Sequence, residues 1–409
     1  MDHIIMVGCD LHDQSMLLKL AMDREAAETQ TVRNTSAARR EMIQMLQQRA
    51  AQAGGAKILF AYEASGQGFG LHDELTAAGI TCYVLAPTRI ARSTQQKKRK
   101  TDEHDAQQLL DLLRAHVCAG NPLPTIWIPN AATRDDRELV RMRLDLTEKQ
   151  TRLKAQVKGL LKRHAIRRTE EARQGWTVVY RRWLADQAIS SLPAGAAKTL
   201  ESLLRQLTCL EEEIKVADQN VLALALSERY RERFYAVLSL QGVGLITAMV
   251  FLTEIGDLAR FDNRRQIAAY LGLAPCSFES GKANDRKGRI TRQGPFRVRK
   301  VLCQATWTRV RSDDNEREAY QRLVKRNPKR KKIAVVASMR RLAVRMWHRA
   351  VHGRPPAEEP SAPDADRVRK SLPLGLDRRG LAEFPERKVI SPRFRKKVHP
   401  SKARTDASR

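Results

Sequence analysis

The sequence lacks closely paired cysteines and long apolar runs, and each absence excludes a class of protein. Six cysteines are scattered through 409 residues without a CxxC pair, which excludes a zinc ribbon and argues against a disulfide-stapled secreted domain. No run of about 18 apolar residues is free of charges, so we expect no membrane span. The first residues lack the basic stretch of a secretory signal, and we expect none.

The charge balance points to an anionic partner. Lysine and arginine number 75 against 46 acidic residues, which leaves a net charge of +29. Such an excess repels itself unless anions neutralise it, and nucleic acid is the usual partner because bound phosphates release counterions. The excess recurs along the chain, which favours nucleic-acid binding over a merely basic soluble protein. A hydrophobic content of 42% is enough for a buried core.

The chain divides into four predicted segments, residues 1–130, 131–228, 229–352 and 353–409. The first has short apolar runs that alternate with helical patterns. Its predicted strands are 4–9, 15–22, 57–62 and 81–86, and its predicted helices are 37–52, 72–78 and 105–115. Two early strands followed by strand–helix alternation predict a mixed sheet covered by helices.

The second segment has two apolar seams with the spacing of a coiled coil. The first seam is Leu139, Met142, Leu146, Leu153, Val157 and Leu160, and the second is Leu200, Leu203, Leu207, Leu210, Ile214, Ala217, Val221 and Leu224. Pro193 and Gly195 permit the chain to turn back between them. The sequence therefore leaves two alternatives open, an antiparallel hairpin within one chain and a zipper between chains.

The third segment is predicted to be helical with short loops, and the fourth to be a mostly disordered basic tail. The tail is either a dispensable extension or an additional nucleic-acid contact. In the third segment, Gly242 and Gly244 lie between two helical stretches. A Gly-x-Gly turn lets backbone N–H groups approach a phosphate, although it also serves as a tight turn between helices.

Four carboxylates form the candidate metal site. Asp10 ends the first predicted strand, Glu63 follows a later one, and Asp102 and Asp105 open a helix with an i, i+3 spacing. Strand ends and a helix start can meet at one edge of a sheet. Carboxylates that meet there repel one another unless cations neutralise their charge. Two Mg²⁺ ions about 4 Å apart suit such an all-oxygen site and phosphodiester chemistry. Taken alone, Asp102 fits a helix N-cap better than a metal ligand. The order D, E, DxxD resembles an RNase H-like nuclease core of the RuvC type.

The motifs together resemble the DEDD transposases of insertion-sequence family one hundred and ten, over about residues 3–350. The matching stretches are residues 7–10, 62–66, 100–106, 241–244, 268–275, 279–281 and 288–294. Two flanking positions depart from the family pattern. Gln241 replaces a common proline, and His12 and Asp13 stand where lysine is frequent.

The resemblance implies an α/β plus α fold. This fold would consist of an RNase H-like (RuvC-like) mixed-sheet domain, a helical coiled-coil hairpin and a small helical transposase domain. Asp10, Glu63, Asp102 and Asp105 would bind the Mg²⁺ ions, and Ser280 would be the nucleophile that joins covalently to DNA, with Ser277 as a rival. The partners would be donor and target DNA, a structured non-coding guide RNA and further copies in a dimer or tetramer. The expected location is the bacterial cytoplasm, at the nucleoid when active.

Candidate nucleic-acid contacts are basic or glycine residues near these motifs. They are Lys97, Lys98, Arg99, Lys100, Gly242, Gly244, Lys282, Arg286, Lys287 and Arg289. Two other functions stay open at this point. One is a catalytically inactive nucleic-acid-binding protein on the same scaffold, and the other is a junction resolvase that cuts with a metal-activated water.

Overall fold

A computed structural model describes residues 3–91, 101–169, 175–278, 286–326 and 328–353. They form two compact units that divide after Asn130. The predicted tail lies outside the described residues, apart from Gly353. The finer division into four segments stays a prediction.

The first unit is a five-stranded mixed sheet with helices. Its elements are β1 (Ile4–Leu11), β2 (Ser15–Met22), β3 (Glu28–Arg33), α1 (Ser36–Gln52), β4 (Lys57–Glu63), α2 (Gly70–Ala77), β5 (Thr81–Leu85) and α3 (Asp102–Ala119). The strand order is β3-β2-β1-β4-β5. Strand β1 is antiparallel to β2 and parallel to β4, which is parallel to β5. The predicted mixed sheet is therefore confirmed, whereas β3 was not predicted.

Strand β1 is buried on both faces of the sheet. Ile5, Val7 and Cys9 contribute to the core that contains the buried residues of α1 and α2. Met6 belongs to a second core with Leu109 and Leu110 of α3. Because alternate residues of a strand point to opposite faces, Gly8 and Asp10 share the face of Met6, on which α3 packs.

Gly8 is where α3 crosses the sheet. A Cβ atom at Gly8 would lie 2.3 Å from the carbonyl oxygen of Ala106 and 2.5 Å from the backbone nitrogen of Leu110. Both distances are too short for any side chain, so the two backbones approach closely only because residue 8 is glycine. This crossing determines where the first turn of α3 lies along β1.

The N-cap of α3 is Thr101, and Asp102 is the first helical residue. The Thr101 Oγ1 atom accepts a hydrogen bond of 3.3 Å from the His104 N–H, as an N-cap side chain does. The alternative that Asp102 caps the helix is therefore wrong. Asp102 and Asp105 lie seven and four residues before the buried Leu109, which places both carboxylates on the sheet-facing side of the helix.

The second unit is mainly helical. Its elements are α4 (Ala131–Arg163), α5 (Val178–Trp183), α6 (Ala194–Leu226), α7 (Arg231–Leu238), α8 (Leu245–Ile255), α9 (Arg264–Tyr270), β6 (Pro275–Phe278), β7 (Arg286–Ile290), α10 (Phe296–Ser312), α11 (Asp314–Arg326) and α12 (Lys331–His352). Strands β6 and β7 pair antiparallel inside a segment that was predicted to be helical with loops. Among the described helices of both units, none is long and apolar enough to cross a membrane.

Helices α4 and α6 pack against each other in antiparallel orientation within one chain. Arg143 contacts Asp218, and further along α4 Gln150 contacts the earlier residue Glu211. The hairpin alternative is thus the one observed. The predicted α4 seam is partly wrong, because Met142 is 40% exposed and the neighbouring Val140 and Leu144 are buried instead.

Candidate active site

Asp10 and Glu63 lie at the same edge of the sheet. The parallel register of β1 and β4 pairs Cys9 with Tyr62, so Asp10 and Glu63 each follow one residue later. Glu63 is the last residue of β4, and Asp10 is next to last in β1. The carboxyl ends of parallel strands meet at one edge, and here each carries a carboxylate.

The start of α3 reaches this edge. Asp10, His12 and Asp102 each offer one ligand atom, and these three atoms all lie within 4.8 Å of one another. The Nε2 atom of His12 is 3.1 Å from Asp10 Oδ2 and 3.4 Å from Asp102 Oδ1. Asp10, His12 and Asp102 are called the edge cluster below.

The electrostatics of the edge cluster favour a bound cation. Partial burial raises the pKa of Asp10 above its ordinary value, the His12 imidazole lowers this pKa, and the Asp102 and Asp105 carboxylates raise it further. Several negative groups therefore crowd one small region, partly removed from water. Carboxylate and imidazole groups are ordinary donors for divalent cations, so the edge cluster fits such an ion.

The structure brings together two of the four predicted carboxylates in the edge cluster, Asp10 and Asp102. Glu63 and Asp105 lie at the same sheet edge and in the same helical turn, but outside that group. From the sequence, His12 stood out only as a departure from the family pattern. Its position two residues after Asp10, directly after the end of β1, was the available signal.

A cleft borders the edge cluster. Its lining comes from the β1–β2 turn and from the loop after β4, and consists of Leu11, His12, Asp13, Gln14, Ser15, Ser65, Gly66 and Gln67. Asp13, three residues after Asp10, is hydrogen-bonded to the Gln67 side-chain amide across this cleft. The side chain of Asp13 therefore joins the two walls of the cleft.

The Gly-x-Gly turn has a packing role. Gly242 has a φ of +77°, and a Cβ atom there would lie 2.7 Å from Arg309 Cγ and 2.9 Å from the Ala305 carbonyl oxygen, both in α10. Arg309 Nη1 also donates to the carbonyl oxygen of Gln241 over 2.9 Å. These contacts agree with the tight-turn alternative, and the phosphate-binding role of Gly242 and Gly244 stays a prediction.

The predicted serine nucleophile belongs to the connection between β6 and β7. Ser280, Lys282 and the basic run Lys97, Lys98, Arg99 and Lys100 lie outside the described residues. The strands on either side are described. Ser277 of β6 pairs with Lys287, Phe278 pairs with Arg286, and Arg289 is exposed.

The base of this hairpin is tied to α9 by close backbone contacts. Cβ atoms at Gly272 and Gly294 would lie 2.2 Å from the Gln293 carbonyl oxygen and 1.9 Å from the Tyr270 carbonyl oxygen. Arg299 Nη1 donates to the carbonyl oxygens of Leu271 and Gln293 over 3.1 and 2.8 Å. The paired strands β6 and β7 therefore start from a fixed base.

Two transposase family models match this chain. A DEDD transposase family model of the IS110 type matches residues 7–166, and the model described as the transposase IS116/IS110/IS902 family matches residues 235–321. The proposed transposase y4rJ of Sinorhizobium fredii is 30% identical over 308 residues, which cover 70% of this chain and 75% of that protein.

Two further relatives have similar names. The proposed transposase y4qE of Sinorhizobium fredii is 33% identical over 251 residues, which cover 61% of this chain and 58% of that protein. The transposase for insertion sequence element IS1533 of Leptospira borgpetersenii is 25% identical over 316 residues, which cover 74% of this chain and 84% of that protein.

A mixed sheet with acidic residues at the carboxyl ends of its parallel strands fits the RNase H-like core of DEDD transposases. The chain belongs to the IS116/IS110/IS902 family of transposases, and is thus a DNA transposase.

Proposed function

We propose that this transposase cuts and rejoins DNA through two chemical centres, the carboxylates of the first unit and Ser280 of the second. The observation that carries the proposal is the edge cluster, in which Asp10 and Asp102 from different elements meet around one point. In this proposal the first unit is a RuvC-like nuclease domain. The α4–α6 hairpin is the coiled coil, and residues 229–352 form the small transposase domain.

Asp10, Glu63, Asp102 and Asp105 would hold two Mg²⁺ ions in the active protein. Such ions polarise the scissile phosphate and stabilise the leaving oxygen. The protein supplies the positions of the ligands. The ends of β1 and β4 present Asp10 and Glu63, and the N-terminal turn of α3 presents Asp102 and Asp105.

Ser280 would act as the nucleophile on DNA. Its hydroxyl oxygen forms a bond to phosphorus while the bond from phosphorus to the 3′ oxygen breaks, and the serine proton ends on the released 3′-hydroxyl. The phosphoserine ester keeps the phosphodiester bond energy, so that another 3′-hydroxyl can rejoin by the reverse step.

The covalent step is tested on a denaturing gel with end-labelled DNA and Mg²⁺. We expect the unaltered protein to give a protease-sensitive, slowly migrating DNA species. Ser280→Ala should lose this species and still bind DNA, whereas Ser277→Ala should retain it. A persistent adduct with Ser280→Ala would exclude Ser280 as the nucleophile. Free nicked DNA from the unaltered protein would instead favour a resolvase that uses water, and binding without cutting would favour an inactive relative.

The same proposal includes a structured non-coding RNA that pairs with donor and target DNA. Support comes from the net charge of +29 and from basic candidates such as the exposed Arg289 on β7. Because several phosphates would be neutralised together, the affinity for RNA should fall steeply as salt increases. The measurement compares the affinity of the protein for the non-coding RNA that flanks its gene in the insertion sequence with its affinity for unrelated RNA of equal length. Equal affinities would leave only non-specific binding.

A further inference from the structure

His12 is held in place at the edge cluster by its own backbone. Its N–H donates to the Ser15 carbonyl oxygen over 2.9 Å, and its carbonyl oxygen accepts a hydrogen bond of 2.8 Å from Asn34 Nδ2. The ring therefore extends from a fixed turn between β1 and β2. It lies on the same side of the sheet as Asp10, two residues earlier.

The two separations from His12 in the edge cluster are close to those between neighbouring ligands of one ion. At metal–ligand distances of about 2.1 Å, adjacent ligands of an octahedral ion are about 3 Å apart. His12 Nε2 lies 3.1 Å from Asp10 Oδ2 and 3.4 Å from Asp102 Oδ1. The imidazole nitrogen thus stands where a third ligand would stand, next to one oxygen from each carboxylate.

We propose that His12 is a ligand of one of the two cations, so that this site has a mixed nitrogen and oxygen donor set and selects Mn²⁺ over Mg²⁺. This rests on the metal centre of the proposed function and refines its Mg²⁺ assignment. Mg²⁺ strongly prefers oxygen ligands, whereas imidazole nitrogen suits transition-metal ions, among which Mn²⁺ is one that also accepts carboxylate oxygen. A lysine at this position could not supply a nitrogen lone pair while it is charged.

A different role for His12 makes the opposite prediction. A protonated imidazole could act as a counter-charge for Asp10 and Asp102 and leave when a cation arrives. In that role its removal would strengthen cation binding or leave it unchanged. A ligand role requires its removal to weaken Mn²⁺ binding specifically.

The experiment measures metal binding by the full-length protein without DNA. Mn²⁺ and Mg²⁺ affinities come from calorimetry, and pulsed electron paramagnetic resonance of bound Mn²⁺ detects a directly bound imidazole nitrogen. His12→Asn should weaken Mn²⁺ binding about tenfold or more and change Mg²⁺ binding much less, with loss of the nitrogen signal. His104→Asn is the matched control, because His104 hydrogen-bonds Thr101 over 2.7 Å and lies outside the edge cluster.

The unaltered protein keeps the proposal open to contradiction even where a variant folds poorly. Absence of a nitrogen signal from its bound Mn²⁺, or an unchanged ratio of Mn²⁺ to Mg²⁺ affinity in folded His12→Asn, would overturn the ligand role of His12. If the unaltered protein binds neither cation, the metal centre itself fails. If Asp102→Asn abolishes binding while His12→Asn does not change it, only the present inference fails.

Discussion

Carboxylates in the two units have opposite surroundings. In the second unit Asp136, Asp218, Glu254 and Glu316 are all buried, and each accepts hydrogen bonds from arginine side chains. In the described part of the first unit no charged side chain is buried, and Asp10 and Asp102 meet at an open edge of the sheet. The first arrangement fastens helices together, whereas the second leaves carboxylates accessible to a ligand.

The two sets of carboxylates differ in what their surroundings allow. A buried carboxylate with an arginine partner already has its charge balanced, and losing that partner is costly. A crowded carboxylate at an accessible edge gains most from a cation that arrives from solution. Three substitutions test this difference. Their expected effects on strand cleavage decrease from Asp102→Asn through Gly8→Ala to Arg143→Met, which should have none.

Asp102→Asn should greatly reduce strand cleavage while the protein still folds. The change removes one charge at a largely exposed position of the first turn of α3 and keeps the size of the side chain. Strand cleavage should fall by several orders of magnitude, since a bound metal contributes several kcal/mol at the phosphate. The neighbouring Glu103→Gln is the control and should cleave normally. Near-normal cleavage by Asp102→Asn, measured on labelled DNA, would contradict the metal assignment.

Gly8→Ala should disturb the site through the backbone. The added Cβ atom would meet the Ala106 carbonyl oxygen at 2.3 Å, so α3 must shift and carry Asp102 with it. A displacement of about 1 Å can cost about a hundredfold in rate, and overpacking costs about 1–3 kcal/mol of stability. Gly70→Ala is the control, because a Cβ atom there meets nothing within 4 Å. Equal cleavage rates for both variants would show that the crossing at Gly8 does not position the site.

The sequence predicts the strands of the first unit well, because their apolar runs are distinct. The strand predicted at residues 57–62 is observed as Lys57–Glu63, and 15–22 is observed as Ser15–Met22. Strand β3 was not predicted because five of its six residues are exposed, so no alternation of apolar and polar residues marks it. The strand ends and the helix start were enough to predict that Asp10 and Asp102 meet.

The second unit was harder to predict, because its determinants are long-range contacts. Strands β6 and β7 lie in a polar, basic stretch, and Gly294 with a φ of +74° helps fix their base. In α4 the buried Asp136 lies on the packed side of a helix whose predicted seam contains only apolar residues. Spacing alone cannot show that a charged residue is buried with a partner elsewhere in the chain. The position of His12 beside Asp102 likewise depends on a long-range contact, because α3 must come close to β1.

Arg143→Met should lower stability and leave cleavage by folded molecules unchanged. Arg143 donates to both carboxylate oxygens of Asp218, over 2.6 and 3.1 Å, and the Asp218 side chain is 6% exposed. Without Arg143 this carboxylate stays buried without its partner, so the free energy of unfolding should fall by about 3 kcal/mol.

The surface pair of Arg205 and Glu201 in α6 provides the control. Arg205 is 73% exposed and 4.0 Å from Glu201, so Arg205→Gln should change stability by less than about 0.5 kcal/mol. Denaturant unfolding measures both values. Equal stabilities for the two variants would show that the buried pair does not fasten α4 to α6. A loss of cleavage by folded Arg143→Met would show that the charges of the second unit also serve the reaction.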